Sequence, residues 1–157
     1  MGNYIARDDR SDGPRSGTAI IKIDPLALIH EDHLREREII ALIDQIAMGS
    51  VVDVEVLQEV IGFLTGDLPL HLMDEEEDLF PLLKRRCEPE DDIVKVIAKL
   101  QRDHAHAIED TPKVVALLES SAKTQSSIGV DDADALKAFA KHARRHLILE
   151  NAIILPF

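Results

Sequence analysis

The sequence predicts an all-α protein folded as an up-down-up-down four-helix bundle, and three observations support this fold class. Aromatic residues make up only 3% of the chain, so Leu, Ile, Val and Ala supply most of its 45% hydrophobic content, as is common in the cores of helical bundles. Apolar residues recur at three- and four-residue intervals along four long stretches, which is the period of an amphipathic helix. Short connections join the stretches, and these place successive helices antiparallel.

The first helix is expected to begin at Pro25 and to end near Met48. Asp24 can cap it, because an aspartate side chain accepts hydrogen bonds from the free backbone N–H groups of the first turn, and proline is favoured directly after the cap. Residues 1–23 mix Arg, Asp, Gly, Ser and Pro without a regular period, so we interpret them as a flexible N-terminal arm. The bundle is therefore predicted to occupy residues 24–157.

The second helix is expected to follow a cap at Asp53. Gly66 and Pro69 fall in its middle and predict a bend or a short break there, since proline lacks a backbone donor. Pro81 is expected at or near the end of the helix. The basic run 84–86 would then place positive charge at the helix C-terminus, where the helix dipole favours it.

The last two helices are separated by a polar loop over residues 123–130. The third helix is expected to start near Pro89 and to kink at Pro112. The fourth is expected to be capped by Asp131 or Asp132 and to run to the end of the chain.

A repeated motif links the second and fourth helices. His71 and Glu75 lie four residues apart, as do His146 and Glu150, and a proline follows each glutamate after six residues. Residues four apart stack on one face of a helix, so the two side chains of each pair point the same way. Two such faces could enclose a metal centre between them.

The first and third helices each contribute one histidine to the inner face. His104 falls within the apolar stripe of the third helix, whereas His106, about 200° further round, points outward. On the first helix His33 lies closer to the stripe than His30, which is about 120° from its centre. His142 lies at the edge of the stripe of the fourth helix.

Six ionisable side chains are therefore predicted to face the core: His33, His71, Glu75, His104, His146 and Glu150. Burying such a group without a partner costs several kcal/mol, and six of them would exceed the ~5–15 kcal/mol stability of a domain. A bound cation would satisfy them together. Glu36 also falls on the inner face and is predicted to be either a further ligand or an outer partner of the ligands.

The ligand types indicate which metal would bind. Four histidines and two carboxylates exceed the four ligands, often cysteines, of a structural zinc site, while calcium and magnesium prefer oxygen ligands alone. Two first-row ions fit, each bound by two histidines, with Glu75 and Glu150 bridging them. Iron is favoured by this mixture of nitrogen and oxygen ligands, with manganese and zinc as alternatives.

Charge and composition disfavour several partners. The formal net charge of −12 argues against nucleic acid and anionic membrane surfaces, because phosphates are bound by Lys and Arg. The chain has no apolar run of roughly 18 residues that would predict a transmembrane helix. The single cysteine, Cys87, and the lack of an apolar leader favour a cytoplasmic location.

The motifs resemble those of the hemerythrin-like (HHE cation-binding) family across about residues 24–157. The residues that carry the resemblance are Asp32-His33-Leu-Arg-Glu-Arg, His71-x-x-x-Glu75 with Leu79-Phe80-Pro81, Arg102-Asp103-His104, and Arg145-His146-x-x-x-Glu150-Asn151 with Leu155-Pro156. The resemblance implies a four-helix bundle around an oxo- or hydroxo-bridged pair of iron ions. It also implies that this centre binds dioxygen or related small oxidants, and that the six inward residues are its ligands.

Two departures separate this sequence from the oxygen carriers of that family. Those proteins have a second histidine four residues after the third-helix ligand, where Ile108 stands here, and an Asp five residues after the fourth-helix histidine, where Glu150 comes after four. The sequence therefore favours sensing of dioxygen, nitric oxide or peroxide over oxygen carriage. The alternatives are a di-iron oxidoreductase or peroxide-decomposing enzyme, and a metal-free helical adaptor. A protein partner or a homodimer is compatible with each.

Overall fold

The structure is a computed structural model that describes residues 24–49 and 53–154. Within these ranges the regular structure consists of four long helices and one short 3₁₀ turn, so the predicted all-α class is confirmed. The helices are α1 (Pro25–Met48), α2 (from Val54 to Arg86), α3 (Ile93–Thr124) and α4 (Val130–Ile154). The proposed N-terminal arm and Pro156 lie outside the described residues.

Short connections make consecutive helices run in opposite directions. The helix α1 packs most extensively against α4, and α3 packs against both α2 and α4, which is the arrangement of a four-helix bundle. None of the helices in the described part of the chain combines the length and the apolar character that a bilayer crossing requires.

The caps predicted for the first two helices are present. The Asp24 side chain accepts a hydrogen bond from the backbone N–H of Leu26 at 3.1 Å. The Asp53 side chain accepts from Glu55 and Val56 at 3.1 and 3.4 Å. Each aspartate thereby satisfies donors that a helix N-terminus leaves free.

The starts of the last two helices differ from the prediction. Pro89 begins a 3₁₀ turn rather than α3, which starts at Ile93 after Asp92 adopts the left-handed region at φ 53°. Neither Asp131 nor Asp132 caps α4, because the helix already begins at Val130. Both aspartates lie in its first turn, where negative charge still complements the helix dipole.

The helix α2 contains two π-helical turns, Phe63–Asp67 and Glu75–Leu79. Each turn is followed after one residue by a proline, Pro69 or Pro81. The residue before each proline donates its N–H to the carbonyl five residues earlier instead of four. A proline ring clashes with the carbonyl four residues before it, and the extra residue of a π turn relieves this clash.

The π turns let α2 pass both prolines without ending. The bend or break predicted at Gly66 and Pro69 is therefore a π turn. Pro81 lies near the helix end, as expected, and α2 continues past it to Arg86. The basic run 84–86 does occupy the last turn, as predicted.

The buried apolar residues form two clusters with a polar layer between them. On α1, His33 lies between Ile29 of the smaller cluster and Ile39 of the larger. On α3, His104 lies between Leu100 of the smaller cluster and Val114 of the larger. The polar layer is thus closed off on both sides by side chains that exclude water.

Candidate metal centre

The structure brings together all six side chains that the sequence placed on inner faces. They are at most 8% exposed, with Glu75 at 0% and Glu150 at 1%. The helices α2 and α4 each supply a histidine and a glutamate, because the four-residue spacing puts both on one face. The helices α1 and α3 each supply one histidine.

Glu75 lies at the centre of this group and faces three histidines. Its Oε2 atom is 3.0 Å from His33 Nε2 and 3.0 Å from His71 Nε2. Its Oε1 atom is 3.0 Å from His104 Nε2. The two oxygens of one carboxylate therefore face different histidines.

The two carboxylate oxygens of Glu150 also face different histidines. Its Oε1 atom is 2.6 Å from His33 Nε2. Its Oε2 atom is 3.4 Å from His146 Nε2 and 3.9 Å from His104 Nε2. Both carboxylates thus turn one oxygen toward the histidines of α1 and α2, and the other toward those of α3 and α4.

The donor atoms define two places for a cation. We name position 1 the place surrounded by His33, His71, Glu75 and Glu150, and position 2 the place surrounded by Glu75, His104, His146 and Glu150. At each position one donor atom from every residue lies within 4.8 Å of the others. Two carboxylates shared between two histidine pairs are the donor set of a carboxylate-bridged dinuclear site.

Several of these buried atoms have no hydrogen-bond partner. They are Glu75 Oε1, both Glu150 oxygens, His104 Nε2 and His146 Nε2. Some lie within 3.0 Å of another polar atom, but they are not directed at it in hydrogen-bond geometry. An unsatisfied buried polar atom is costly, and a cation at each position would supply the missing partner. The residues present therefore fit a pair of metal ions.

Every inward histidine is held from behind through its Nδ1 atom. His33 Nδ1 bonds to Asn151 Oδ1 at 2.7 Å, and His71 Nδ1 to Asp32 Oδ2 at 3.2 Å. These bonds fix the ring orientation. With Nδ1–H as the donor, the lone pair of Nε2 is left to face the metal position.

The second pair of histidines is held in the same manner. His104 Nδ1 bonds to Glu76 Oε2 at 2.7 Å, and His146 Nδ1 to Asp103 Oδ2 at 3.1 Å. In all four cases the partner is the chain neighbour of another inward residue. Asp103 also accepts from Lys99 at 3.2 Å, and the bonds to His146 and Lys99 lower its pKa against the opposing effect of burial.

The side-chain contacts shift the pKa values of the histidines upward. Burial lowers the pKa of His33, but the close contact with the Glu150 carboxylate and the hydrogen bond to Glu75 outweigh it and raise the value from 6.5 to about 10. In the same way His71 and His146 are raised to about 9, chiefly by their own partners four residues on. Since a metal binds neutral imidazole, metal entry must release these protons.

The pKa of Glu75 moves in the opposite direction. Burial would raise it, but the close contacts with Glu150 and with the rings of three histidines hold it well below its usual range. The carboxylate is therefore ionised at neutral pH. Its negative charge adds to the attraction of this layer for cations.

Glu36 lies beside position 1. It is 7% exposed, and its Oε1 atom is 3.7 Å from His71 Nε2. Burial and the nearby charge of Glu75 raise its pKa to about 7, against the opposing effect of His71. The burial of Glu36 confirms the sequence prediction that its side chain lies on the inner face of α1.

The remaining histidines stay outside the group. His106 is exposed, as predicted, and His30 is half-buried on α1. His142 is half-buried, with its Nε2 atom 4.0 Å from Asp103 Oδ1. Ile108 is 64% exposed.

The role of Glu76 is not evident from the sequence. It belongs to an acidic run, which is typical of a solvated face, yet it accepts the Nδ1 proton of His104. The roles of Asp32 and Asp103 were not predicted either. A signal for them exists in the sequence, because both precede an inward histidine as a repeated Asp-His pair.

The fold and the site together define a class: helical-bundle proteins with a buried cluster of His and Glu side chains suited to metal cations. A family model of the hemerythrin HHE cation-binding domain matches residues 24–157. The chain belongs to this family, whose members bind metal cations, typically iron. Neither the comparison with curated proteins nor that with solved structures found a match.

Proposed function

We propose that the chain binds two iron ions, with Glu75 and Glu150 as bridges, and that this centre binds or senses dioxygen, nitric oxide or peroxide. The observation that supports this most directly is the division of both carboxylates between two histidine pairs. A single ion would use one oxygen of each carboxylate and would leave the other oxygen facing an unused pair of histidines. Manganese and zinc are the alternatives, since the same nitrogen and oxygen donors can hold either ion.

The donor count leaves room for a small ligand. Each position is surrounded by four side-chain donors, and a non-haem iron centre with open places is the usual arrangement for reactions of oxygen. The places that remain would go to solvent or to the incoming ligand. The Phe80 ring stacks on that of His104 with centroids 5.5 Å apart, so the surroundings favour a small, uncharged molecule.

Sensing is proposed over oxygen carriage because α3 supplies one histidine only. The place four residues after His104 is occupied by the exposed Ile108, which offers no donor. The alternative is an enzyme that reduces or decomposes peroxide at the same centre. A peroxide turnover assay separates the two, because a sensor is expected to consume no more than stoichiometric oxidant.

Metal analysis of the purified protein tests the proposal. We expect two iron ions per chain and an absorption band in the near ultraviolet after exposure to air. The variants His71→Ala and His146→Ala should lose both iron and band, whereas His106→Ala, which alters an exposed histidine of α3, should keep them. A folded wild-type protein that takes up no iron when iron is supplied would refute the proposal.

A further inference from the structure

The two halves of the bundle repeat one another, so they can be compared residue by residue. The helices α1 and α2 correspond to α3 and α4. The corresponding residues are Asp32 with Asp103, His33 with His104, His71 with His146, and Glu75 with Glu150. Any difference between the halves on their inner faces is therefore a difference between position 1 and position 2.

One place where the correspondence fails lies on the inner face, beside the donors. Glu36 follows His33 by three residues, and Ala107 follows His104 by three. Glu36 is buried near position 1, whereas Ala107 is half-buried and ends in a methyl group. The place that holds a carboxylate in the first half thus holds no donor in the second.

The Glu36 carboxylate converges with Glu75 on the same ring nitrogen. His71 Nε2 is 3.0 Å from Glu75 Oε2 and 3.7 Å from Glu36 Oε1. Among residues 24–49 and 53–154, no Lys or Arg forms an ion pair with Glu36. His71 is the one charged partner of Glu36 in this part of the chain. A buried carboxylate is costly unless it is well paired, and an ion at position 1 would provide a further partner.

We propose that Glu36 is a fifth protein ligand of the ion at position 1, and that the small ligand binds the ion at position 2. This inference rests on the proposed function, since it assigns unequal tasks to the two ions. The additional carboxylate fills a coordination place of the ion at position 1 and leaves little space there for a small ligand. The second ion keeps an open place where Ala107 offers no donor.

The grooves on the surface agree with this assignment. The groove between α2 and α3 reaches His104 at position 2, and its lining is mainly apolar, with Pro69, Leu72, Met73, Ala105 and Ile108. The groove that reaches His71 at position 1 contains Phe63 and Leu70 but also four charged residues, Asp32, Arg35, Asp67 and Asp74. An uncharged diatomic molecule leaves water more readily along the apolar groove.

A second groove, between α3 and α4, also leads to position 2. It reaches His146 and is lined by Lys99, Lys141 and Arg145. Positive charge in an otherwise acidic molecule would admit a small anion on this side. Azide is therefore a suitable probe for the open place.

Two reciprocal substitutions test the inference. Glu36→Ala gives the first half the side chain that the second half has at the corresponding place. Ala107→Glu makes the reverse exchange. Glu77→Gln is the control, since it removes one exposed carboxylate from α2. Each protein is loaded with ⁵⁷Fe and measured by Mössbauer spectroscopy, by iron titration and by azide titration in visible light.

The wild type and the control are expected to show two distinct iron environments and one azide site per iron pair. Glu36→Ala should make the environments more alike and weaken one of the two iron affinities about tenfold or more. Ala107→Glu should keep both irons and lower the azide affinity by about tenfold or more. Circular dichroism verifies folding, and if Ala107→Glu does not fold, the Mössbauer result for Glu36→Ala decides.

The inference and the proposed function fail in different ways. A wild-type protein without an iron pair refutes the proposed function itself. An iron pair whose spectrum and affinities are unchanged in Glu36→Ala leaves the function standing and refutes the role of Glu36. Unchanged azide affinity in a folded Ala107→Glu refutes the assignment of the open place to position 2.

Discussion

Replacing Glu76 is expected to weaken iron binding although this glutamate lies outside the group of donors. Its Oε2 atom accepts the Nδ1 proton of His104 at 2.7 Å. Loss of such a partner frees the ring to turn and typically costs 10- to 100-fold in metal affinity. The Glu76 side chain is 35% exposed, so water can replace it in part and the lower end applies. We expect Glu76→Ala to lower the iron affinity about tenfold, which corresponds to about 1.4 kcal/mol of binding free energy.

A graded series makes the reasoning testable. Gln can still accept the His104 proton but carries no charge, so Glu76→Gln should lie between wild type and Glu76→Ala. The neighbouring Glu77 is exposed, and Glu77→Gln removes the same charge without touching a histidine. Anaerobic ferrous titration against a chromophoric chelator measures the affinities. If Glu77→Gln weakens binding as much as Glu76→Gln, the effect comes from net charge and the reasoning fails.

Three further predictions concern stability. The metal-free protein should lose thermal stability between pH 7 and 10, since the pKa values of His33, His71 and His146 are raised from 6.5 to about 10, 9 and 9. Their contribution to the free energy of unfolding is complete below pH 6.5 and is lost as the histidines deprotonate in the folded state. A melting temperature that rises over this range would contradict the assignment. Leu118→Ala, at a site that is 0% exposed, should cost about 2–5 kcal/mol of unfolding free energy in urea titrations, and a loss below 1 kcal/mol would place this side chain outside the packed core. Asp53→Ala removes the cap of α2 and should cost about 1 kcal/mol in the same measurement, with the exposed Asp134→Ala as a control that changes it little.

The inward residues could be predicted because their spacing alone decides which face of a helix they share. His71 and Glu75 were placed correctly even though α2 is irregular. The segment Leu68–Asp74 is regular α-helix, and Glu75 still donates its N–H to the carbonyl of His71. The irregularity begins just after the motif, so it did not disturb the count.

Other features depend on partners that are distant in the sequence. The environment of Glu76 is set by His104, 28 residues away on another helix, while its own neighbours form a run of acids typical of a surface. The π turns could not be predicted either from a helical period of 3.6 residues per turn. That count assumes an unbroken α-helix across Pro69 and Pro81, where the extra residue changes the phase.

The hydrogen bonds behind the histidines form a closed circuit around the bundle. Glu76 of α2 orients a ring of α3, Asp103 of α3 orients one of α4, Asn151 of α4 orients one of α1, and Asp32 of α1 orients one of α2. Each of these orienting residues is adjacent in sequence to one of the six inward residues of its own helix. A ligand that shifts one donor therefore pulls on the neighbouring helix as well, and through it on the other two. Such a circuit would convert an event at a single ion into a change felt by all four helices.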